Sequence, residues 1–162
     1  MKMSRKVDCL LIGMLAVLPL MSRAENIPVT IKVTVLAPPP CTINSDRPIE
    51  VIFGDVMTTR VDGNNYRMPV NYTLLCTDSA HNAVKLQIQG NGASFDSTLL
   101  QTDNAGLGIE LQQEGSKLAV NNWINFTYPN KPVLWAVPVK QSGSTLTGGE
   151  FTASATMKVD YQ

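Results

Sequence analysis

The chain has 162 residues, with 13 basic side chains, 13 acidic ones and three cysteines. That length suits one domain. Scattered lysines in a balanced or mildly acidic chain exclude the electrostatic footprint that nucleic acid demands.

Residues 1–24 read as a removable leader. Lys2, Arg5 and Lys6 precede an apolar stretch, residues 9–21. That stretch suits a signal-peptide core and is too short to span a bilayer. Ser22 and Ala24 supply small residues at the −3 and −1 positions of a cleavage site. The alternative is an N-terminal transmembrane anchor. Cleavage would leave residues 25–162, with 9 basic and 12 acidic side chains.

Residues 25–37 alternate. Ile27, Val29, Ile31, Val33 and Val35 face one way; Thr30, Lys32 and Thr34 face the other. Pro38, Pro39 and Pro40 follow. Three prolines form a stiff extended linker without N–H donors, so they end any sheet pairing. Either this strand folds back onto its own sheet, or it is made for another molecule's sheet. Five such side chains represent roughly 7–15 kcal/mol of burial as an upper bound. That rivals the whole stability of a small domain.

Beyond Cys41 the chain reads as β throughout. Apolar residues recur with a period of two at Ile49, Val51 and Phe53, and again at Met68, Val70, Tyr72, Leu74 and Cys76. The pattern continues through Val84, Leu86 and Ile88, then Leu107, Ile109 and Leu111. It returns in Val133, Trp135, Val137 and Val139, and last in Phe151, Ala153, Ala155, Met157, Val159 and Tyr161. Glycine- and asparagine-rich turns separate the runs. Short strands with regular turns predict an antiparallel sandwich. Pro138 predicts an edge or a bulge in its strand.

Cys9 falls in the leader, so Cys41 and Cys76 remain. In an exported chain an even pair reads as one disulfide, closing a loop that contributes roughly 3–4 kcal/mol. A metal or redox pair is the alternative; two distant cysteines with only His81 nearby do not favour it. No catalytic signature is present. Gly90-Asn91-Gly92 lacks the third glycine of a dinucleotide fingerprint, and there is no G-x-S-x-G elbow. His81 sits in a polar loop, without an oriented partner in sequence. The acidic residues near Asp46 and Asp62 lack calcium-loop spacing. No cofactor, metal or small-molecule substrate is expected. Trp135 shares the parity of an apolar run and is expected in the core. Trp123 is the residue that a secreted carbohydrate-binding sandwich would use, and this is the alternative function.

The last run, residues 148–162, stays apolar on one face almost to its end. It is either an ordinary core strand or one edge of an open groove. Here the chain resembles the subunits of chaperone–usher pili, close to the minor adaptor pilins of P-type pili. The resemblance rests on the alternating N-terminal strand, on "PPPCTIN" at residues 38–44 and "FGDV" at residues 53–56. With these go Cys76 and a C-terminal motif with Gly149 fourteenth from the end and Tyr161 next to last.

That resemblance implies an all-β, incomplete immunoglobulin-like sandwich of six strands, lacking the seventh, with an N-terminal donor-strand extension. The divisions are then a signal peptide (1–24), the extension (25–40) and a pilin domain (41–162). Ile27, Val29, Ile31, Val33 and Val35 would be donor residues. Gly149, Phe151, Ala153, Ala155, Met157, Val159 and Tyr161 would lie along the groove and the chaperone contact, and the carboxylate of Gln162 would be held by basic chaperone residues. The implied function is a non-enzymatic minor pilin that polymerises by strand exchange and serves pilus assembly and adhesion. Its partners would be a periplasmic chaperone, an outer-membrane usher and neighbouring subunits, and its destination the fimbrium on the cell surface. One departure is plain: family donor strands carry a glycine, and residues 25–40 contain none. By alternation Val33 stands at that place; counted back from the cysteine, it is Thr34.

Overall fold

The computed structural model describes residues 41–77 and 82–162. The leader, the alternating segment with Ile27, Val29, Ile31, Val33 and Val35, the three prolines and His81 lie outside the described residues.

Among the described residues eleven strand segments follow one another: β1 (Cys41–Ile43), β2 (Met68–Val70), β3 (Leu74–Cys76), β4 (Ala83–Gly90), β5 (Gly92–Ala93) and β6 (Asp96–Gln101) come first. Then come β7 (Leu107–Gln113), β8 (Ser116–Leu118), β9 (Trp123–Thr127), β10 (Leu134–Lys140) and β11 (Ala155–Tyr161). One sheet runs β2-β10-β7-β6-β5, with β8 also on β7; the other runs β11-β4-β9. β1 pairs β3 separately. The pairings are antiparallel. The fold is therefore all-β, an immunoglobulin-like sandwich that is incomplete along one edge.

The expected six strands appear as eleven segments because long strands break and change partners. The run from Met68 to Cys76 shows how. β2 pairs β10, β3 pairs β1, and the chain passes between them through Asn71, Tyr72 and Thr73. Tyr72 is buried, and its hydroxyl donates to the Pro132 carbonyl at 2.6 Å. Burial pushes its phenol well above the ordinary tyrosine range.

The core lies between the two main sheets. Leu86 and Ile88 of β4 and Ile124 of β9 meet Leu100, Ile109, Leu111, Leu134 and Ala136 of the facing sheet. The alternation of β4 and β7 thus reads out burial as expected. A smaller cluster of Val61, Leu107 and Leu146 lies apart from it. The Cys41–Cys76 disulfide is present, with the two cysteines opposite each other in the β1–β3 register.

Three expectations need correction. Ile49, Val51 and Phe53 do not form a strand; residues 47–53 carry no strand pairing, although all three side chains pack against the core. In β10 the parity is reversed: Leu134 and Ala136 face the core and Val133 is exposed. Trp135 accordingly leaves the core and lies on the opposite face, with the Arg67 guanidinium 4.3 Å from its ring centroid. Both faces of β10 are covered, since Val137 and Pro138 are also buried, so alternation could not choose between them. Pro138 lies past the end of the β2 pairing, where β7 is the one strand paired with β10. β10 is an inner strand over Leu134–Ala136 and an edge at its proline, which tolerates the missing donor.

Candidate functional site: an open groove between two unpaired edges

Among the described residues β11 has one strand partner, β4, and no described strand pairs with its other edge. Residues 151–154, which lead into it, carry no strand pairing at all. Across from them runs the equally unpaired stretch 47–53. An alternating, extended segment without a neighbour is a row of open hydrogen-bonding groups.

Between these edges lies a cavity of about 330 Å³. Ile49, Val51 and Phe53 form one lip; Phe151, Thr152, Ala153, Ala155 and Met157 form the other. Ile88, Leu100, Ile109, Leu111, Leu134 and Ala136 are its floor. Those floor residues belong to the main core, so the groove opens directly into the hydrophobic interior. Thr152 is the one polar residue of the lining. The missing neighbour explains why Met157 and Val159 of β11 remain half-exposed although they face the core.

A second cavity of about 780 Å³ continues the first. Val51, Phe53, Phe151 and Thr152 line both. The Phe53 and Phe151 rings meet across the groove with centroids 6.0 Å apart and mark the boundary. Gly149 lines the second cavity, with φ +142 and open space around the position of a Cβ. Its backbone angle, not crowding, makes it glycine.

The remaining residues singled out in the sequence are distributed as follows. Phe151, Ala153, Ala155 and Met157 come together in the first cavity. Val159 packs against the core beyond it. Tyr161 stands opposite Val84 in the β11–β4 register. The Gln162 side-chain amide donates to the Val84 and Phe126 carbonyls, each at 2.9 Å, bridging β4 and β9. Trp123 is exposed on the outer face of β9, with the Lys85 ammonium 5.0 Å from its ring centroid. Asp62 is a turn residue: its carboxylate accepts the Asn65 and Asn64 backbone N–H groups at 2.7 and 2.9 Å, which hold its carboxyl below the usual range. Among the described residues no group of three or more His, Cys, Asp or Glu is arranged to hold a metal ion.

Sequence reasoning missed Gly90, Leu100 and Asp103 at this site. Leu100 sits in β6, whose Leu99 and Leu100 are both buried, so no period marks the groove-facing one. Asp103 looks like any turn aspartate.

The trough is lined almost wholly by apolar side chains, with Thr152 as the polar exception among the described residues. Its outline is that of a sandwich one strand short. The comparisons agree with that class of protein. The family model for fimbrial protein matches residues 29–162. The fimbrial-like protein YfcR of Escherichia coli (strain K12) is 42% identical over 158 residues, covering 94% of this chain and 91% of that protein. The P pilus rod subunit PapA superposes with a TM-score of 0.64 at 25% identity, over 76% of this chain and 99% of PapA. The P pilus adaptor subunit PapF, at 23% identity and a TM-score of 0.59, shares the fold over 78% of this chain and 98% of its own. The chain belongs to the fimbrial protein family, as a pilus subunit of the chaperone–usher type.

Proposed function

We propose that this chain is a structural, non-enzymatic minor pilin that joins its neighbours by donor-strand exchange. Residues 1–24 direct export and are removed; residues 41–162 form the pilin domain. Residues 25–37 of one subunit enter the groove of the preceding one, placing Ile27, Val29, Ile31, Val33 and Val35 along its floor. A strand from a periplasmic chaperone fills the groove beforehand, and the exchange takes place at an outer-membrane usher. The product is a fimbrium on the cell surface that serves adhesion. The observation that carries this reading is the apolar cavity of about 330 Å³, open to the core between two edges that no described strand covers.

The test is thermal. Residues 38–162 are melted with and without a synthetic peptide of residues 25–39. A rise of tens of degrees on adding peptide is expected, because burying several apolar side chains adds free energy comparable to a domain's own stability. A high, cooperative melt that the peptide leaves unmoved would overturn the reading.

The carbohydrate-binding alternative has one observation behind it, the exposure of Trp123. The Lys85 ammonium beside that ring competes for the face a sugar would stack on. Glycan binding that survives deletion of residues 25–37 would favour this second reading.

A further inference from the structure

The groove wall is built in two halves. From Ala155 onward, β11 is hydrogen-bonded to β4. Residues 151–154 have no such support, and a polar cleft of about 260 Å³, lined by Asn91, Gln101 and Asp103 among others, lies behind Thr152 and Ser154. Yet Phe151, Thr152 and Ala153 form the lip of the groove.

Among the described residues, what ties this half to the rest of the domain is Asp103. Its carboxylate accepts the Thr152 backbone N–H at 2.8 Å and the Thr152 hydroxyl at 2.9 Å. Its own backbone N–H donates to the Thr152 carbonyl at 3.1 Å. The thermodynamic preference for the charged acceptor is visible: the two Thr152 donors hold the Asp103 carboxyl below the usual carboxylate range. Asp103 is itself fixed. Thr102, buried beside it, donates its hydroxyl toward the Leu107 carbonyl at 2.8 Å and accepts the Asn104 N–H at 3.1 Å, which makes the β6–β7 turn rigid. The latch therefore joins the unpaired wall to the opposite sheet.

From this we infer that Asp103 is a positioning residue for strand acceptance: it holds the unpaired half of the groove wall in place before a strand arrives. The inference rests on the strand-exchange reading above. A wall already in place need not be ordered when the partner binds, which lowers the cost of binding, and entry without a conformational change is faster. With Thr152 fixed, Phe151 is held opposite Phe53, and the boundary between the two cavities is held as well.

The test uses the full chain and a fluorescein-labelled peptide of residues 25–39. Uptake is followed by anisotropy, and exchange of the Thr152 amide by hydrogen–deuterium NMR. Asp103→Ala should accelerate Thr152 exchange and slow uptake by about tenfold or more, the effect of losing both charge-assisted hydrogen bonds to Thr152. The melting temperature of the peptide-filled chain should change little, which a merely structural role would not predict. Thr152→Ser keeps both donors and should behave as the wild type. Should Asp103→Ala not fold, Asp103→Asn carries the same comparison with a smaller expected slowing. Wild-type uptake with no slowing in the Asp103 variants overturns the latch alone. Absence of uptake by the wild type overturns the strand-acceptance reading, and the positioning role with it.

Discussion

Gly90 ends β4 where the groove floor meets its wall. A Cβ there would overlap Leu100 Cδ1 and come within 3.5 Å of the Ala155 Cβ. The backbone cannot retreat, because Asn121 brackets it: Gly90 N–H donates to Asn121 Oδ1 at 3.1 Å, and Asn121 Nδ2 donates to the Gly90 carbonyl at 3.0 Å. Leu100 is buried and lines the groove, so the free direction for it is into the groove itself. Gly90→Ala should cost about 1–3 kcal/mol by overpacking and weaken binding of the 25–39 peptide. Urea unfolding and peptide titration measure the two effects; unchanged affinity would place Leu100 elsewhere than in the strand's path. Away from the groove, Asp96 accepts hydrogen bonds from Thr98 and from Lys117, which together pull its carboxyl down to about 2. A depressed folded-state value means stabilisation that is complete above the ordinary carboxylate pKa and lost as pH falls toward 2. The melting-temperature gap between wild type and Asp96→Ala should be open at about pH 5 and close toward pH 2.

At the scale of elements, the two stretches that flank the groove teach the same lesson. Residues 49–53 and 151–154 alternate like strands, and their apolar side chains touch the core, yet neither is paired. Alternation records which side chains are buried, while a strand also needs a neighbour. The sequence makes both lips legible as strands; the gap between them is one of two readings of residues 148–162, and the family resemblance is what favours it. Long runs such as Val84–Ile88 and Leu107–Leu111 are read correctly because one face is wet or less crowded. β10 is misread because both its faces are covered, and Trp135 with it. The small cluster of Val61 and Leu146 escapes altogether, since single apolar residues in polar loops have no period. The disulfide is legible by arithmetic, and the register of β1 on β3 makes it short-range in space. The ties that shape the wall, Asp103 to Thr152 and Asn121 to Gly90, are long-range pairings of ordinary turn residues, which no local pattern announces.

At the scale of the molecule, the described residues form a sandwich that is closed wherever strands have neighbours and open along one seam. Its floor residues are core residues, so the domain's stability and its capacity to join a partner draw on the same apolar surface. An occupant that fills the seam is held by the interior itself. The bridge from Cys41 to Cys76 has a bearing on what happens when such a joined chain is stretched. On the strand-exchange reading proposed above, a pull from a neighbour enters the domain through the segment that precedes Cys41. β1 has three residues, too few to resist peeling, but the sulfur bond passes the load straight to β3. The 35-residue separation between the two cysteines then becomes hidden contour length. In single-molecule pulling, the oxidised chain should unfold short by on the order of 100 Å relative to the reduced chain. Equal extensions would mean that tension enters beyond Cys76.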